Sequence, residues 1–286
     1  MNAGQHILRA GLIGAHISRT RLPAALRLMC DEAGLGFDFE LIDTAERAGF
    51  DFAATAAACR DAGWTGVSVT HPFKAQAFDW VGPGMDPSVE ALGACNLMAF
   101  GQPLRGFNTD FTGFLSAWRA ECGDMAPGRV AMAGAGGVAR ALGPALARLG
   151  ASEITIWDQD FEKAADLARR IGSVARAVPI TRAEEAAAAA DGLVNATPLG
   201  MAEYPGSAFP TDLPGAPAWA FDAVYFPTET AFVQTARARG LRVITGFSLF
   251  KHMAMKSFEA YTGLAPDAPR ILPRLDELEP DKELTQ

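Results

Sequence analysis

At residues 130–141 the chain reads VAMAGAGGVARA, an apolar strand that runs into a glycine-rich turn and an alanine-rich helix. A second apolar run, ITIWD at 154–158, follows and ends in an acid. Gly134 permits a tight turn, Gly136 lets the backbone approach a pyrophosphate, and Ala139 keeps the helix close to the sheet. The N-terminus of the helix then faces the anion. This order of elements predicts a Rossmann-type dinucleotide-binding domain.

Asp158 indicates which dinucleotide is bound. It lies 24 positions after Gly134 (158 minus 134), at the end of the second strand. A carboxylate there accepts hydrogen bonds from the adenosine ribose hydroxyls and repels a 2′-phosphate. We therefore expect NAD as the cofactor and NADP as the less favoured one, with Ala135, Gly137 and Val138 also lining the site.

Composition limits the class of protein. The 286 residues fit one large or two ordinary domains, and 49% of them are hydrophobic, enough for well-formed cores. A net charge of -8 without a basic stripe argues against nucleic acid or an anionic membrane as a partner. The cysteines at 30, 59, 95 and 122 are widely spaced, which predicts neither a disulfide nor a metal site. No signal-type segment and no apolar run of membrane-spanning length is evident, so we expect a cytoplasmic protein.

Strands and helices alternate along the chain, which indicates mostly parallel sheets with covered faces. Strands are predicted at 8–13, 37–42, 66–70, 96–100, 218–224 and 242–245 and around Val130, Ile154 and Leu193. Helices are predicted at 23–33, 47–62, 111–120, 161–171, 182–190 and 249–261, with a turn at 101–106 and a connector at 123–128. From Asp276 onward an acidic, solvated tail is expected.

Further motifs appear in order along nearly the whole chain. They are GLIG with Pro23, VTHPFK at 69–74, GACN at 93–96, NTD at 108–110, GAGGVARA at 134–141, NATPLGM at 195–201, DAVYFP at 222–227 and FEAYTG at 258–263. Together they resemble the shikimate dehydrogenase family, including its quinate/shikimate dehydrogenase relatives.

The resemblance implies an α/β protein in which a discontinuous α/β substrate domain closes over a doubly wound NAD(P)-binding domain. We accordingly expect residues 1–105 to begin the substrate domain, 106–240 to bind the dinucleotide, and 241–286 to return to the substrate domain. The implied activity is an NAD(P)-dependent dehydrogenase of the shikimate pathway of aromatic amino acid biosynthesis. It would oxidise shikimate or quinate reversibly to the 3-dehydro ketone, as a monomer or homodimer.

The resemblance also implies roles for single residues. Lys74 and Asp110 match the catalytic pair, and a lysine near a carboxylate can relay the hydroxyl proton and stabilise a developing alkoxide. The positions matching substrate contacts are Thr20, Thr70, Asn96 and Tyr225. The further positions matching cofactor contacts are Asn195, Thr197, Pro198 and Gly246.

The substrate loop departs from the family pattern S-x-S-P. Thr20 can replace the first hydroxyl, but Leu22 stands where the second is expected. Arg19 and Arg21 can either bind the substrate carboxylate or point into solvent. His16 replaces a usual proline and can either contact the substrate or have a structural role, which is the ordinary expectation for a single histidine.

Two more polar positions change. Ser68 replaces an asparagine and Met253 replaces a glutamine, so both are expected beside the substrate in a less polar pocket. A ring hydroxyl that loses a buried partner costs about 1–3 kcal/mol. One alternative is therefore a dehydrogenase for a less hydroxylated cyclic alcohol. A second, from another class, is a non-catalytic dinucleotide-binding or regulatory module. The module needs neither Lys74 nor Asp110, which argues against it.

Overall fold

The computed structural model describes residues 6–280, which form two compact units. Residues 6–109 and Met253–Leu278 make the first unit, and Asp110–His252 make the second. The chain thus changes unit after residues 109 and 252, whereas the sequence expectation places these changes after 105 and 240. No helix in the described part of the chain is both long and apolar enough to cross a membrane.

The first unit contains a five-stranded sheet in the order β2-β1-β3-β4-β5. The strands are β1 (Ile7–Gly14), β2 (Gly36–Asp43), β3 (Gly66–Val69), β4 (Leu97–Ala99) and β5 (Arg105–Phe107). β1 runs parallel to β2 and β3, while β4 and β5 are antiparallel additions. The helices are α1 (Leu22–Ala33), α2 (Phe52–Asp61), α3 (Lys74–Val81) and α10 (Ala268–Leu275), with short 3₁₀ helices at Gly82–Gly84, Glu90–Leu92 and Asp276–Leu278. Because β1 and β3 are parallel neighbours, the loops that follow them leave the same edge of the sheet.

The second unit contains a six-stranded, fully parallel sheet in the order β11-β10-β9-β6-β7-β8. The strands are β6 (Arg129–Ala133), β7 (Glu153–Trp157), β8 (Ala175–Ala177), β9 (Gly192–Asn195), β10 (Trp219–Asp222) and β11 (Arg242–Thr245). Helices along this part are α4 (Thr109–Cys122), α5 (Ala139–Arg148), α6 (Phe161–Ile171), α7 (Ala183–Ala188) and α8 (Ala231–Ala238), with a 3₁₀ turn at Ile180–Arg182. Helix α9 (Gly246–Thr262) begins in the second unit and belongs to the first unit from Met253 onward. This order is that of the doubly wound dinucleotide fold, and the prediction is confirmed.

Aromatic side chains fill the core of the second unit. The Trp118 and Trp219 rings meet edge to face with centroids 4.7 Å apart, and Phe114 meets Phe221 in the same way at 5.2 Å. The indole nitrogen of Trp219 donates to the Pro127 carbonyl oxygen at 3.0 Å, so its polar group is satisfied inside the core.

The structure differs from the sequence prediction at several elements. The helix expected over 47–62 begins only at Phe52, because Asp51 takes an extended conformation and its carboxylate accepts from Ala54 N at 2.9 Å as an N-cap. The turn expected over 101–106 is shorter, since Arg105 and Gly106 pair in β5. Strand β8 and helices α8 and α10 were not predicted, and Pro273 lies inside α10. Of the acidic tail, residues 281–286 lie outside the described residues.

Candidate active site

The turn after β6 requires glycine at its first position. Gly134 has φ of +96°, and a Cβ added there would lie 2.7 Å from the Ala196 carbonyl oxygen. At Gly136 and Gly137 an added Cβ would meet no described atom within 4 Å. Packing within the described residues therefore explains Gly134, whereas the space beside Gly136 and Gly137 is open. Helix α5 begins at Ala139, so N–H groups of the preceding turn point ahead of the helix without an intrahelical acceptor.

Asp158 lies directly after β7 and is joined to this turn. Its Oδ2 accepts from the backbone N–H of Ala135 at 2.8 Å and its Oδ1 from that of Asp160 at 2.9 Å. Asp160 in turn caps α6 by accepting from Glu162 N at 3.1 Å. The end of β7 thus presents two oriented carboxylates, and each oxygen of Asp158 keeps a lone pair for a hydroxyl donor.

Asn195, at the end of β9, is fully buried. Its Nδ2 donates to the Leu199 carbonyl at 3.0 Å and to Asp222 Oδ1 at 2.9 Å. Its Oδ1 accepts from Thr197 N at 3.0 Å and from Thr197 Oγ1 at 2.6 Å. All four hydrogen-bonding positions of the side chain are therefore used within the chain. Asn195 shapes the loop that carries Thr197 and Pro198, and a contact of its side chain with the cofactor would break one of these bonds.

Asp222, which the sequence analysis did not single out, is the centre of this network. It is fully buried at the end of β10 and accepts from Asn195, from Val224 N at 2.9 Å and from Thr230 Oγ1 at 2.6 Å. Burial raises the pKa of the Asp222 carboxyl above its ordinary value, while the hydrogen bonds from Thr230, Val224 and Asn195 oppose that rise. The DAVYFP motif contained the signal, because an acid between apolar strand residues needs buried partners.

Tyr225 and Gly246 lie just beyond these strands. The Tyr225 ring packs against Phe247 and Phe250 of α9, with centroids 5.9 and 5.2 Å apart. A Cβ added at Gly246 would come within 2.5 Å of the Val224 carbonyl oxygen, so packing against the β10 loop already accounts for this glycine. Asp110 is the second residue of α4 and is half-buried.

In the first unit, Lys74 begins α3 after a turn that contains a cis peptide bond between His71 and Pro72. Phe73 anchors this point, since its buried ring stacks on Phe52 with centroids 5.5 Å apart. The Lys74 carbonyl also accepts from Cys95 N at 2.9 Å. The backbone of Lys74 is therefore fixed beside the segment that carries Asn96.

The loop after β1, residues 15–20, is the substrate loop of the sequence prediction and leaves β1 next to this turn. Ala15 N donates to the His71 carbonyl at 2.9 Å, and a Cβ at Gly14 would overlap the methyl group of Thr70. Thr20 Oγ1 accepts from Leu22 N at 3.3 Å. The structure therefore brings the loop of Thr20 to the turn of Thr70 and Lys74. Leu22 is buried at the start of α1 and Arg19 is exposed.

Asp43 holds this loop, a role that the sequence analysis missed. Its carboxylate accepts from the backbone N–H groups of His16 at 3.0 Å, Ile17 at 3.1 Å and Ala45 at 3.0 Å. The bond from Ala45, with those from Ile17 and His16, holds the pKa of Asp43 below its ordinary value. His16 has φ of +56°, which a proline with φ near -65° could not adopt. The departure at position 16 is thus explained by the loop backbone.

Asn96 is held inside the first unit. Its backbone bonds to Val69 N and to the Phe107 carbonyl, at 2.8 and 2.9 Å. Its side-chain Oδ1 accepts from Thr109 N at 2.7 Å and from Thr109 Oγ1 at 3.2 Å. The Thr109 hydroxyl also lies 3.1 Å from Ser257 Oγ on α9.

The two polar departures have different surroundings. Ser68 is buried, and its hydroxyl lies 2.8 Å from that of Tyr261 in FEAYTG. Ser68 and Tyr261 therefore form one hydrogen-bonded pair. Burial raises the pKa of Tyr261 well above its ordinary value, so this hydroxyl stays protonated. Met253 is half-buried, and its sulfur lies 3.5 Å from Ser257 Oγ.

Two family models match this chain. Residues 12–98 match the shikimate dehydrogenase substrate binding domain, and residues 118–200 match shikimate / quinate 5-dehydrogenase. A quinate/shikimate dehydrogenase (NAD(+)) of Corynebacterium efficiens is 36% identical over 91% of this chain and 95% of its own. A shikimate dehydrogenase (NADP(+)) of Streptomyces avermitilis is 36% identical over 94% of each chain.

Solved structures show the same similarity. The quinate dehydrogenase of Corynebacterium glutamicum in complex with NAD superposes with a TM-score of 0.87 at 31% identity, over 93% of this chain and 97% of its own. The shikimate 5-dehydrogenase of Thermus thermophilus, in complex with NADP(H) and shikimate, gives 0.82 at 31% identity, over 94% and 99%.

Proposed function

Because the chain belongs to the shikimate dehydrogenase family of NAD(P)-dependent oxidoreductases, we propose that it oxidises shikimate or quinate reversibly to the 3-dehydro ketone, preferentially with NAD. The resemblance inferred from the motifs is confirmed at the level of the family and of the enzyme class. The observation that carries the proposed reaction is that VTHPFK and NTD retain Lys74 and Asp110 in a chain with an intact dinucleotide fold.

The reaction removes a hydride from a ring carbon and a proton from its hydroxyl. The nicotinamide, when bound, accepts the hydride. We assign the hydroxyl proton to Lys74 and Asp110, on the strength of the motif match. A lysine near a carboxylate can relay the proton from the hydroxyl oxygen and, when charged, stabilise negative charge that develops on that oxygen. The residues proposed to bind the substrate are Thr20, Thr70, Asn96 and Tyr225.

The preference for NAD rests on the end of β7. Asp158 is held by the Ala135 and Asp160 N–H groups, which fixes its carboxylate beside the glycine turn. A second carboxylate, that of Asp160, follows two residues later, and the run Asp158-Gln159-Asp160 contains no basic side chain for a 2′-phosphate. A ribose 2′-hydroxyl can donate to Asp158, whereas a 2′-phosphate would meet two negative charges.

Asp158→Ala tests this preference. The variant is expected to lose most of the selectivity for NAD over NADP, measured as the ratio of the two kcat/KM values. Asp166→Ala in α6 is the control, because Asp166 forms ion pairs with Arg169 and Arg170 of the same helix. An unchanged NAD/NADP ratio in Asp158→Ala would contradict the assignment.

Lys74→Ala tests the chemistry. Loss of a proton-transfer group lowers kcat about 10²–10⁴-fold, while NAD binding, followed by fluorescence, should persist. Lys256→Ala is the matched control, because Lys256 forms a partly exposed ion pair with Glu259 at 2.8 Å. Equal kcat values for Lys74→Ala and Lys256→Ala would exclude Lys74 from the reaction.

One observation favours a second substrate class. The Ser68 hydroxyl is bonded to Tyr261 in the interior, so position 68 offers less to a ring hydroxyl than an asparagine would. A cyclic alcohol with fewer ring hydroxyls needs fewer hydrogen-bond partners, so its binding would be weakened less by the missing asparagine. A kcat/KM for such an alcohol at least tenfold above those for shikimate and quinate would establish this alternative.

The cellular location of the enzyme and its state of association are also proposals. All four cysteines are free and buried, as expected for thiols in a reducing compartment, and we infer a cytoplasmic location. The state of association expected is a monomer or a homodimer.

A further inference from the structure

The Asn96 side chain has two chemically different ends. The amide oxygen only accepts hydrogen bonds and the amide nitrogen only donates them. Thr109 N lies 2.7 Å from one end, and a backbone N–H can only donate. This end must therefore be the oxygen, whichever way the amide would otherwise be assigned.

The hydroxyl of Thr109 strengthens this orientation. Thr109 Oγ1 lies 3.2 Å from the same Asn96 oxygen and 3.1 Å from Ser257 Oγ. Thr109 and Ser257 are both almost fully buried, so their hydroxyl protons must find acceptors within the chain. A consistent arrangement has Ser257 donating to Thr109 and Thr109 donating to Asn96.

Ser257 has one competing acceptor. The Met253 carbonyl lies 2.9 Å from Ser257 Oγ, one helical turn earlier in α9. The Ser257 proton can therefore be shared between Met253 O and Thr109 Oγ1. In either case the Thr109 hydroxyl lies between Asn96 and Ser257, and rotation of the amide would place N–H groups against the Thr109 N–H.

The other end of the amide faces outward. Among residues 6–280, no group accepts a hydrogen bond from Asn96 Nδ2. This nitrogen is also not fully buried, so it keeps some exposure to solvent. Asn96 itself is 7% exposed. The accessible part of the side chain is therefore a pure hydrogen-bond donor.

We propose that Thr109 and Ser257 are positioning residues that lock Asn96 with its amide nitrogen outward, so that the site offers a donor to an oxygen of the hydroxy-acid ring. This inference rests on the proposed function for the identity of the substrate, and on the first unit alone for the geometry. It gives Ser257 a part in substrate selection. Ser257 directly precedes the FEAYTG motif and belongs to none of the quoted motifs.

A double-mutant cycle tests the proposal in the full-length protein. Ser257→Ala should raise KM for the ring acid about three- to tenfold, with a smaller change in kcat, because the Thr109 hydroxyl loses its second partner and then holds the Asn96 side chain less rigidly. In an Asn96→Ala background the same change should leave KM within about twofold. Thr262→Ala is the matched control, because Thr262 makes the same kind of bond to a carbonyl one turn back, Phe258 O at 2.7 Å, without reaching Asn96. An equal effect of Ser257→Ala in both backgrounds would show a merely structural role and overturn the proposal.

A second readout needs no substrate. The side-chain ¹⁵N amide resonance of Asn96 is identified as the signal absent from Asn96→Ala. Ser257→Ala and Thr109→Val should shift it, while Thr109→Ser, which keeps the hydroxyl, and Thr262→Ala should not. If the wild type turns over neither shikimate nor quinate but the resonance shifts, the proposed function fails and the positioning network stands. An unmoved resonance in Ser257→Ala sinks the network whatever the activity.

Discussion

Thr230→Val is the substitution that most directly tests the buried network behind the candidate cofactor loop. The Thr230 hydroxyl donates to Asp222 Oδ2 at 2.6 Å and accepts from Val233 N at 3.1 Å as the N-cap of α8. A hydrogen bond to a buried charged group contributes about 1.5–3 kcal/mol, and an N-cap about 1 kcal/mol. Valine keeps the shape and loses both bonds. The expected loss of unfolding free energy at pH 8 is therefore about 2.5–4 kcal/mol.

The loss should depend on pH. Burial raises the folded-state pKa of Asp222 above the ordinary 3.8, so its protonated form contributes stability that is present below 3.8 and is lost as the pH rises through the folded pKa. Removing the Thr230 donor raises that pKa further, since only the ionised carboxylate needs the bond. The difference between variant and wild type should then shrink toward the N-cap contribution, about 1 kcal/mol, as the pH falls and the Asp222 carboxyl becomes protonated.

The assay is urea unfolding at pH 4.5 and pH 8, followed by tryptophan fluorescence, with KM for NAD measured on the same preparations. Thr235→Val on the same helix is the control, because Thr235 only donates to the Ala231 carbonyl at 2.7 Å on the exposed side. The Thr230 variant should also raise KM for NAD, since Asp222 holds Asn195 and the loop to Leu199. A loss no larger than that of Thr235→Val, or one equal at both pH values, would refute the reasoning.

Three further predictions follow from single contacts. Gly134→Ala should lose about 1–3 kcal/mol of stability and raise KM for NAD, because its φ is +96° and a Cβ would press on Ala196 O; a wild-type melting temperature would contradict this. Tyr261→Phe should lose about 0.5–1.5 kcal/mol, and Ser68→Ala should cost little more in that background, so additive losses in chemical denaturation would disprove the pair. The four cysteines should react slowly with a disulfide reagent at pH 7.5 in the native state and rapidly in urea, because all four are buried. Burial also raises the pKa of Cys30 and Cys95 to about 11. A thiol that reacts fast in the native protein would contradict this prediction.

Much of the fold could be predicted from local patterns. The parallel sheet of the second unit followed from apolar strands between helices, and α6 begins and ends where the sequence predicts, at Phe161 and Ile171. The start of α2 was misplaced because alanine-rich periodicity favours a longer helix, while the side chain of Asp51 caps it later. Helix α10 was missed because Pro273 indicates a break, although the helix tolerates it near its last turn.

The candidate site was predictable only in part. Motifs predict Lys74, Asp110, Asn96 and Asp158 as site residues, because each follows or precedes a regular element in a recognisable order, and their roles stay predictions. Contacts between distant parts of the chain were not predictable, and Ser68 meets Tyr261 across 193 positions. For the same reason the sequence alone did not show that all hydrogen-bonding positions of the Asn195 side chain are used inside the protein, nor that Asp43 holds the substrate loop.

The measurement that tests the central claim most directly is the initial rate with shikimate and with quinate, each with NAD and with NADP, on one preparation of the wild-type protein. We predict turnover of at least one of the two acids, with kcat/KM at least tenfold higher for NAD than for NADP. A preference for NADP would contradict the role given to Asp158 and Asp160. Absence of turnover in all four reactions, with NAD bound, would contradict the proposed substrates.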